Sequence, residues 1–277
     1  MLSLITTCKN RLRHLKQTLP LMLAQPRAEI IVVDYGCEQG TAAWVKEHHP
    51  AAKLVQVNDD PVFCLARARN MGAKMASHQT LGFIDADVLV HLELGKWLEL
   101  NQKPNEFYLY GDRTEPELFG FLIVAREHFF KVSGYDEAFT GWGGEDTDLY
   151  ERLAMVGLSK SSVPKESISS ISHGDELRQL GKEKGGFRNR QEAWLMHRLY
   201  MAIKRDSWQL TGREIELEKR KELLQYIRMK REEALMEGQN SLEISINVPM
   251  NFLDFKCFRG LSYRLSIGPA SSTRIAG

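Results

Sequence analysis

The stretch Glu29-Ile30-Ile31-Val32-Val33-Asp34 constrains this chain more than any other. A β-branched run with no polar break suits a strand covered on both faces, and such strands belong to parallel sheets wrapped by helices. The same kind of run recurs at Leu2-Ser3-Leu4-Ile5-Thr6, Leu54-Val55-Gln56-Val57 and Leu81-Gly82-Phe83-Ile84. Between these runs lie helical patterns. Asn10 to Leu23 has apolar residues at Leu12, Leu15, Leu19 and Leu23, and Thr41 to His48 and Cys64 to Ser77 follow as further helices. This alternation predicts an α/β fold with a mainly parallel sheet and helices on both faces. Ligands in such sheets bind beyond the carboxyl ends of the strands. Asp34, Asp59, Asp60, Asp85 and Asp87 all fall at or just after strand ends, so they are expected on one rim.

Later segments are less regular. Phe107 to Val124 holds strand-like runs, including Phe119-Gly120-Phe121-Leu122-Ile123-Val124. Asp146 to Val156 reads as a helix with Leu149, Leu153 and Val156 on one face and Gly157 closing it. His173 follows a strand-like stretch, Ser167 to Ser172, and Glu192 to Lys204 and Gly212 to Glu237 read as helices. The last mixes basic and acidic residues throughout. A solvated helix laced with ion pairs accounts for it, and docking to a partner or an anionic membrane surface is the alternative. The expected division is a main domain over residues 1–205 and a C-terminal helical extension with a tail over 206–277.

Composition excludes more than it assigns. With 37 Lys+Arg against 36 Asp+Glu the net charge is +1, which gives no ground for nucleic-acid binding. Met1 to Thr7 lacks a basic segment followed by a long apolar run, so a secretory signal is not expected, and no stretch has the ~18–20 apolar residues of a membrane span. Cys8, Cys37, Cys64 and Cys257 show no C-x-x-C spacing, which suits free thiols in a reducing cytoplasm.

Two acidic elements carry the chemistry. Asp85-Ala86-Asp87 ends an apolar run and sets two carboxylates at i, i+2, on the same side of an extended segment. Gly141-Trp142-Gly143-Gly144-Glu145-Asp146 sets two adjacent carboxylates behind a glycine turn and beside an indole. Either pair alone is also what turns and helix N-termini favour. Earlier in the chain stand Thr6-Thr7-Cys8-Lys9-Asn10-Arg11, Val33-Asp34 and Ala66-Arg67-Ala68-Arg69-Asn70-Met71-Gly72. In this combination and order the chain resembles the GT-A-fold glycosyltransferases of family 2 and their relatives, over roughly residues 1–205. The Gly-Trp-Gly-Gly-Glu-Asp element is similar to the acceptor-side motif of β-1,4-galactosyltransferases and chondroitin-type polymerases.

The resemblance implies a hexosyltransferase that takes galactose or N-acetylgalactosamine from a UDP-sugar, with Mn²⁺ or Mg²⁺ as cofactor. The acceptor would be a saccharide or glycolipid, as in bacterial surface polysaccharide synthesis. It implies Asp146 as catalytic base and Trp142, Gly143, Gly144 and Glu145 as acceptor-binding. Thr6, Arg11, Asp34, Asp59, Arg69 and Asp85 become donor-binding, and Asp87 and His173 hold the metal. A carboxylate at 146, where retaining relatives that glycosylate polypeptides tend to carry Asn, implies inversion. Galactosyltransferases place a methionine three residues before the metal-binding histidine; Ser170 stands there instead. A cytoplasmic location is expected, with room for peripheral attachment at the inner membrane face. A non-catalytic GT-A-like scaffold or carbohydrate-binding subunit is the alternative, and a nucleotidyltransferase is a more distant one.

Overall fold

The computed structural model describes residues 1–60, 62–91, 93–111, 114–139, 143–171, 190–252 and 255–266. The chain divides into two compact units, Met1–Gly186 and Phe187–Gly277. The helix that begins at Arg190 therefore lies wholly in the second unit, and the boundary expected after residue 205 falls inside it.

The first unit is built from β1 (Leu2–Cys8), α1 (Leu12–Leu23), β2 (Ala28–Asp34), α2 (Thr41–His48), β3 (Lys53–Gln56), α3 (Leu65–Met75) and β4 (Thr80–Asp85). There follow β5 (Val88–Val90), α4 (Glu93–Asn101), β6 (Glu106–Tyr110), β7 (Leu122–Ala125), α5 (Arg126–Lys131), α6 (Glu145–Met155), β8 (Ser159–Val163) and β9 (Ile168–Ser170). Seven strands form one sheet in the order β3-β2-β1-β4-β7-β6-β8. The half from β3 to β4 is parallel throughout, whereas β7 runs antiparallel to both β4 and β6. This is the mixed, mainly parallel sheet expected.

Alternation along the strands explains the two layers. Leu4 of β1 and Ile30 and Val32 of β2 pack with Leu15, Leu19 and Met22 of α1 and Leu94 of α4. Their neighbours Ile5, Ile31 and Val33 face the other way, into a core shared with Ala66, Ala68 and Ala73 of α3 and Leu149 and Leu153 of α6. Both faces are buried, so an uninterrupted apolar run is what β2 requires. Gly72 lets α3 lie close on this sheet: a Cβ there would come within 2.4 Å of Ile5 Cγ2 and 3.1 Å of Val33 Cγ2. Both neighbours are β-branched and stiff. Gly72→Ala is therefore expected to cost about 1–3 kcal/mol by overpacking, read as a lowered Tm in thermal denaturation.

Register aligns the strand ends. Cys8 sits opposite Asp34, Thr7 opposite Asp85 and Asp34 opposite Gln56. The acidic residues Asp34 and Asp85 thus share the carboxyl rim of the parallel half. Beyond it, β5 pairs antiparallel with β9, and Ile171 N–H donates to the Asp87 carbonyl at 2.8 Å.

The second unit contains α7 (Arg190–Thr211), α8 (Leu217–Met236) and a hairpin of β10 (Ser241–Phe252) and β11 (Phe255–Ser266). The helical extension is present, and after it the chain forms two strands paired from Ser241↔Ser266 to Phe252↔Phe255; the Ser/Gly/Ala end of the expected tail lies outside the described residues. Leu242, Ile244 and Val248 are buried while Glu243, Ser245 and Asn247 are exposed, the period of a strand with one covered face. Lys219, Lys221 and Lys230 of α8 each pair with a glutamate three residues away, and a buried ion pair, Arg231 to Glu192 at 2.9 Å, joins α8 to α7. Among the described residues no helix is long and apolar enough to cross a membrane.

Candidate active site

The site forms where α3 and α6 approach the end of β4. Arg69, on α3, is enclosed, with 2% of its side chain exposed. Its Nη1 donates to Asp146 Oδ1 at 2.6 Å and its Nη2 to Asp85 Oδ1 at 2.9 Å, with the Gly120 carbonyl at 3.5 Å from Nη2. The guanidinium lies over the Tyr135 ring, 5.0 Å from its centroid. Two aspartates 61 positions apart in sequence are thus held by one side chain.

Neighbouring residues fix this arrangement. Asn70 reads the Tyr135 backbone in both directions at 2.9 Å, and its amide also donates to Glu137 at 2.8 Å. Within α6, Arg152 pairs with Asp148 at 2.7 Å and donates to the carbonyls of Val132 and Gly134, which ties the helix to the preceding loop. Gly143 and Gly144 take φ of +82° and +104°, a left-handed turn that side chains rarely adopt, immediately before α6 starts at Glu145. Trp142 lies outside the described residues, as does His173.

Charge is unbalanced here. Burial pushes the Glu145 carboxyl up to about 8, and the negative charge on Asp146 adds to this against the pull of Arg69. Asp146 is raised too, by burial first and then by Asp85, with Arg69 opposing. Two carboxylates, Asp85 and Asp146, share one guanidinium with the Glu145 carboxyl beside them, so the site favours an arriving cation. The Glu145 shift also bears on stability. Between pH 4.5, its ordinary value, and about 8 the folded chain keeps a proton that the unfolded chain releases, so stability falls as pH rises through that window. Glu145→Gln is expected to raise stability by about 1–3 kcal/mol above the window and to change little below it. Thermal melts at the two pH extremes check this; parallel curves for variant and parent would count against it.

The other expected donor and metal residues are distributed unevenly. Arg11 Nη1 stands 3.6 Å from Asp87 Oδ2. Asp59 is exposed and, with Asp60, is held by the fork of Arg67 at 2.9 and 2.8 Å. Asp34 is nearly enclosed. Its two oxygens accept from the Cys37 and Ala42 N–H groups at 2.8 and 2.9 Å, which secures the turn into α2. Thr6 is fully buried within β1. Among the described residues no group of three or more His, Cys, Asp or Glu side chains is gathered closely enough to hold a metal ion. Asp85 and Asp87 nevertheless supply hard carboxylate oxygens at a strand end, 34% and 14% exposed. That donor set fits a divalent cation such as Mn²⁺ or Mg²⁺.

Sequence reasoning missed Asn70, Gly120, Tyr135 and Arg152. Asn70 lies inside a motif already singled out, but nothing in its spacing says that its amide pairs with the backbone at 135. For Gly120 the only signal was a glycine in a strand-like run.

Comparison with known proteins places the fold. Residues 3–138 match the model of glycosyl transferase family 2, and residues 108–174 match the N-terminal domain of galactosyltransferase. The mannosyltransferase of Pyrobaculum calidifontis, solved with GDP-Man and Mn²⁺, aligns with a TM-score of 0.52 at 18% identity, over 86% of this chain and 74% of that one. Drosophila β-1,4-galactosyltransferase 7, solved with manganese, UDP-Gal and xylobiose, aligns at 0.50 and 20% identity, over 69% of this chain and 78% of that one. At those identities the likeness is one of fold, and the fold is GT-A. The matched segments overlap and lie inside the first unit. The two matches together span residues 3–174 and overlap over 108–138, with family 2 sequence on the N-terminal side and galactosyltransferase-type sequence on the C-terminal side. In sequence it is 26% identical to validoxylamine A glucosyltransferase of Streptomyces hygroscopicus over 60% of its length, and it spans 54%, about half, of that relative.

Proposed function

We propose that this chain transfers a hexose, galactose or N-acetylgalactosamine, from a UDP-sugar to a saccharide acceptor with inversion at the anomeric carbon. The observation that carries the reading is the joining of Asp85 and Asp146 through Arg69, which brings the donor-side rim and the start of α6 into one site. The galactosyltransferase match over 108–174 contains both Glu145 and Asp146. The Drosophila galactosyltransferase of the same fold holds UDP-Gal, manganese and a disaccharide.

In this mechanism Asp85 and Asp87 meet the donor at the rim, and Asp146 faces the acceptor hydroxyl. The acceptor oxygen attacks the anomeric carbon, the bond from that carbon to the diphosphate oxygen breaks, and the hydroxyl proton passes to a carboxylate oxygen of Asp146. A burial-raised pKa makes Asp146 a stronger base than an ordinary aspartate, while the Arg69 contact opposes that shift and favours the ionised form. A divalent cation, when bound, supplies charge neutralisation for the departing diphosphate. Its protein ligands in this proposal are Asp87, helped by Asp85, and His173; Ile171, two positions before His173, is hydrogen-bonded to the Asp87 backbone. Glu145 binds acceptor hydroxyls and Trp142 supplies an apolar platform for a sugar ring.

The acceptor we assign is a growing surface glycan of bacterial type, lipid-borne or free, with the enzyme working at the inner face of a membrane. The second unit supports this placement with 16 Lys and Arg against 11 Asp and Glu. The test is UDP release from a panel of UDP-sugars with Mn²⁺, with and without oligosaccharide acceptors. Turnover with UDP-galactose or UDP-N-acetylgalactosamine is expected. Absence of release from any UDP-sugar would instead favour a scaffold or carbohydrate-binding subunit.

A further inference from the structure

Arginine beside a nucleotide-sugar site is commonly read as a diphosphate contact, and that was the expectation for Arg69. Its surroundings leave no opening for such a ligand. Both terminal nitrogens are committed to carboxylates, one face of the guanidinium lies over the Tyr135 ring, and only 2% of the side chain meets solvent. The remaining wall is Gly120. A Cβ there would lie 2.6 Å from Arg69 Nη2, 3.1 Å from Asp85 Oδ2 and 3.5 Å from Asp146 Oδ2. The absence of a side chain at 120 is thus what lets the guanidinium and the two carboxylates share one space.

On the reading that Asp146 is the base, we infer that Arg69 is a positioning residue, a buried bridge that sets the Asp146 carboxylate against the donor-side Asp85 rather than a contact to the donor. A planar fork can serve two carboxylates at once, whereas an ammonium serves as a point charge. Asn70, the next residue on α3, fixes the backbone of Tyr135, so the ring beneath the guanidinium is set by the same helix that carries it. Misplacing a base by about 1 Å can cost on the order of 10²-fold in rate with little effect on binding.

The experiment measures kcat for the UDP-sugar turned over by the parent enzyme, and the Kd for UDP with Mn²⁺ by calorimetry. It compares the parent chain with Arg69→Lys and Gly120→Ala, and thermal denaturation confirms folding of each. Arg69→Lys keeps the charge but loses the fork. Gly120→Ala keeps every charged group and pushes the guanidinium away from its partners. Both are expected to lower kcat by about 30- to 100-fold with the Kd for UDP unchanged. A weakened UDP affinity with kcat intact in Arg69→Lys would make Arg69 a donor contact and overturn the inference, as would unchanged kcat in a folded Gly120→Ala. Should one variant fail to fold, the other decides. A parent chain with no activity on any UDP-sugar refutes the proposed function itself, a result separate from these.

Discussion

Asp146→Asn is expected to lower kcat by about 10²- to 10⁴-fold while UDP and Mn²⁺ still bind. The substitution keeps shape and volume but removes the ability to accept the acceptor's proton. Raising the pH should not restore turnover, because no carboxylate remains to ionise. Arg69 would keep its pair with Asp85, so the fold around Tyr135 and Asn70 should persist. In the parent enzyme the acid limb of the pH–rate profile should lie above the ordinary carboxylate range, since burial and Asp85 raise the Asp146 pKa by more than Arg69 lowers it. A variant that turns over at near-parental rates would remove Asp146 from the role of base. Steady-state kinetics over a pH series, alongside calorimetry, reads both parts.

Loss of the cation should be as severe. Treatment with EDTA is expected to abolish UDP release and added Mn²⁺ to restore it, whereas Asp87→Ala should show a loss of about 10³-fold that Mn²⁺ does not repair. With no donor present Arg11 stands 3.6 Å from Asp87, so removal of this carboxylate also takes one ion pair from the rim. If Asp87→Ala responds to Mn²⁺ as the parent does, the metal is held elsewhere.

How much of this was legible in sequence depends on the range of the interaction. The β1 to β4 half could be read because each strand is an apolar run whose neighbours in the sheet come from nearby β-α units. In the other half the strand-like runs over 107–124 were visible but their order was not, because β7 enters between β4 and β6 by a pairing that no local pattern encodes; Val88 to Val90, which pairs with β9 in a separate two-stranded sheet, is too short to signal a strand. The first strand of the hairpin at 241–266 carries a local signal, since Leu242, Ile244, Ile246 and Val248 alternate with polar residues; its pairing with the second strand is what no local pattern encodes.

The site followed the same division. That Asp85 and Asp146 belong together came from motif order, and the structure joins them through Arg69. What the arginine does there could not be read, because burial, the Tyr135 ring and the open space at Gly120 arise only in the folded chain. At Asp34 the fold adds contacts that sequence does not display: its two oxygens accept from the N–H groups of Cys37 and Ala42.

The most direct test of the account is to locate the metal crystallographically, by anomalous diffraction from crystals grown with UDP and Mn²⁺. The account predicts a manganese peak about 2–2.3 Å from an Asp87 carboxylate oxygen, beside the diphosphate and on the Asp146 side of the rim. Manganese bound away from Asp87, or UDP seated off the carboxyl rim of β1, β2 and β4, would contradict it.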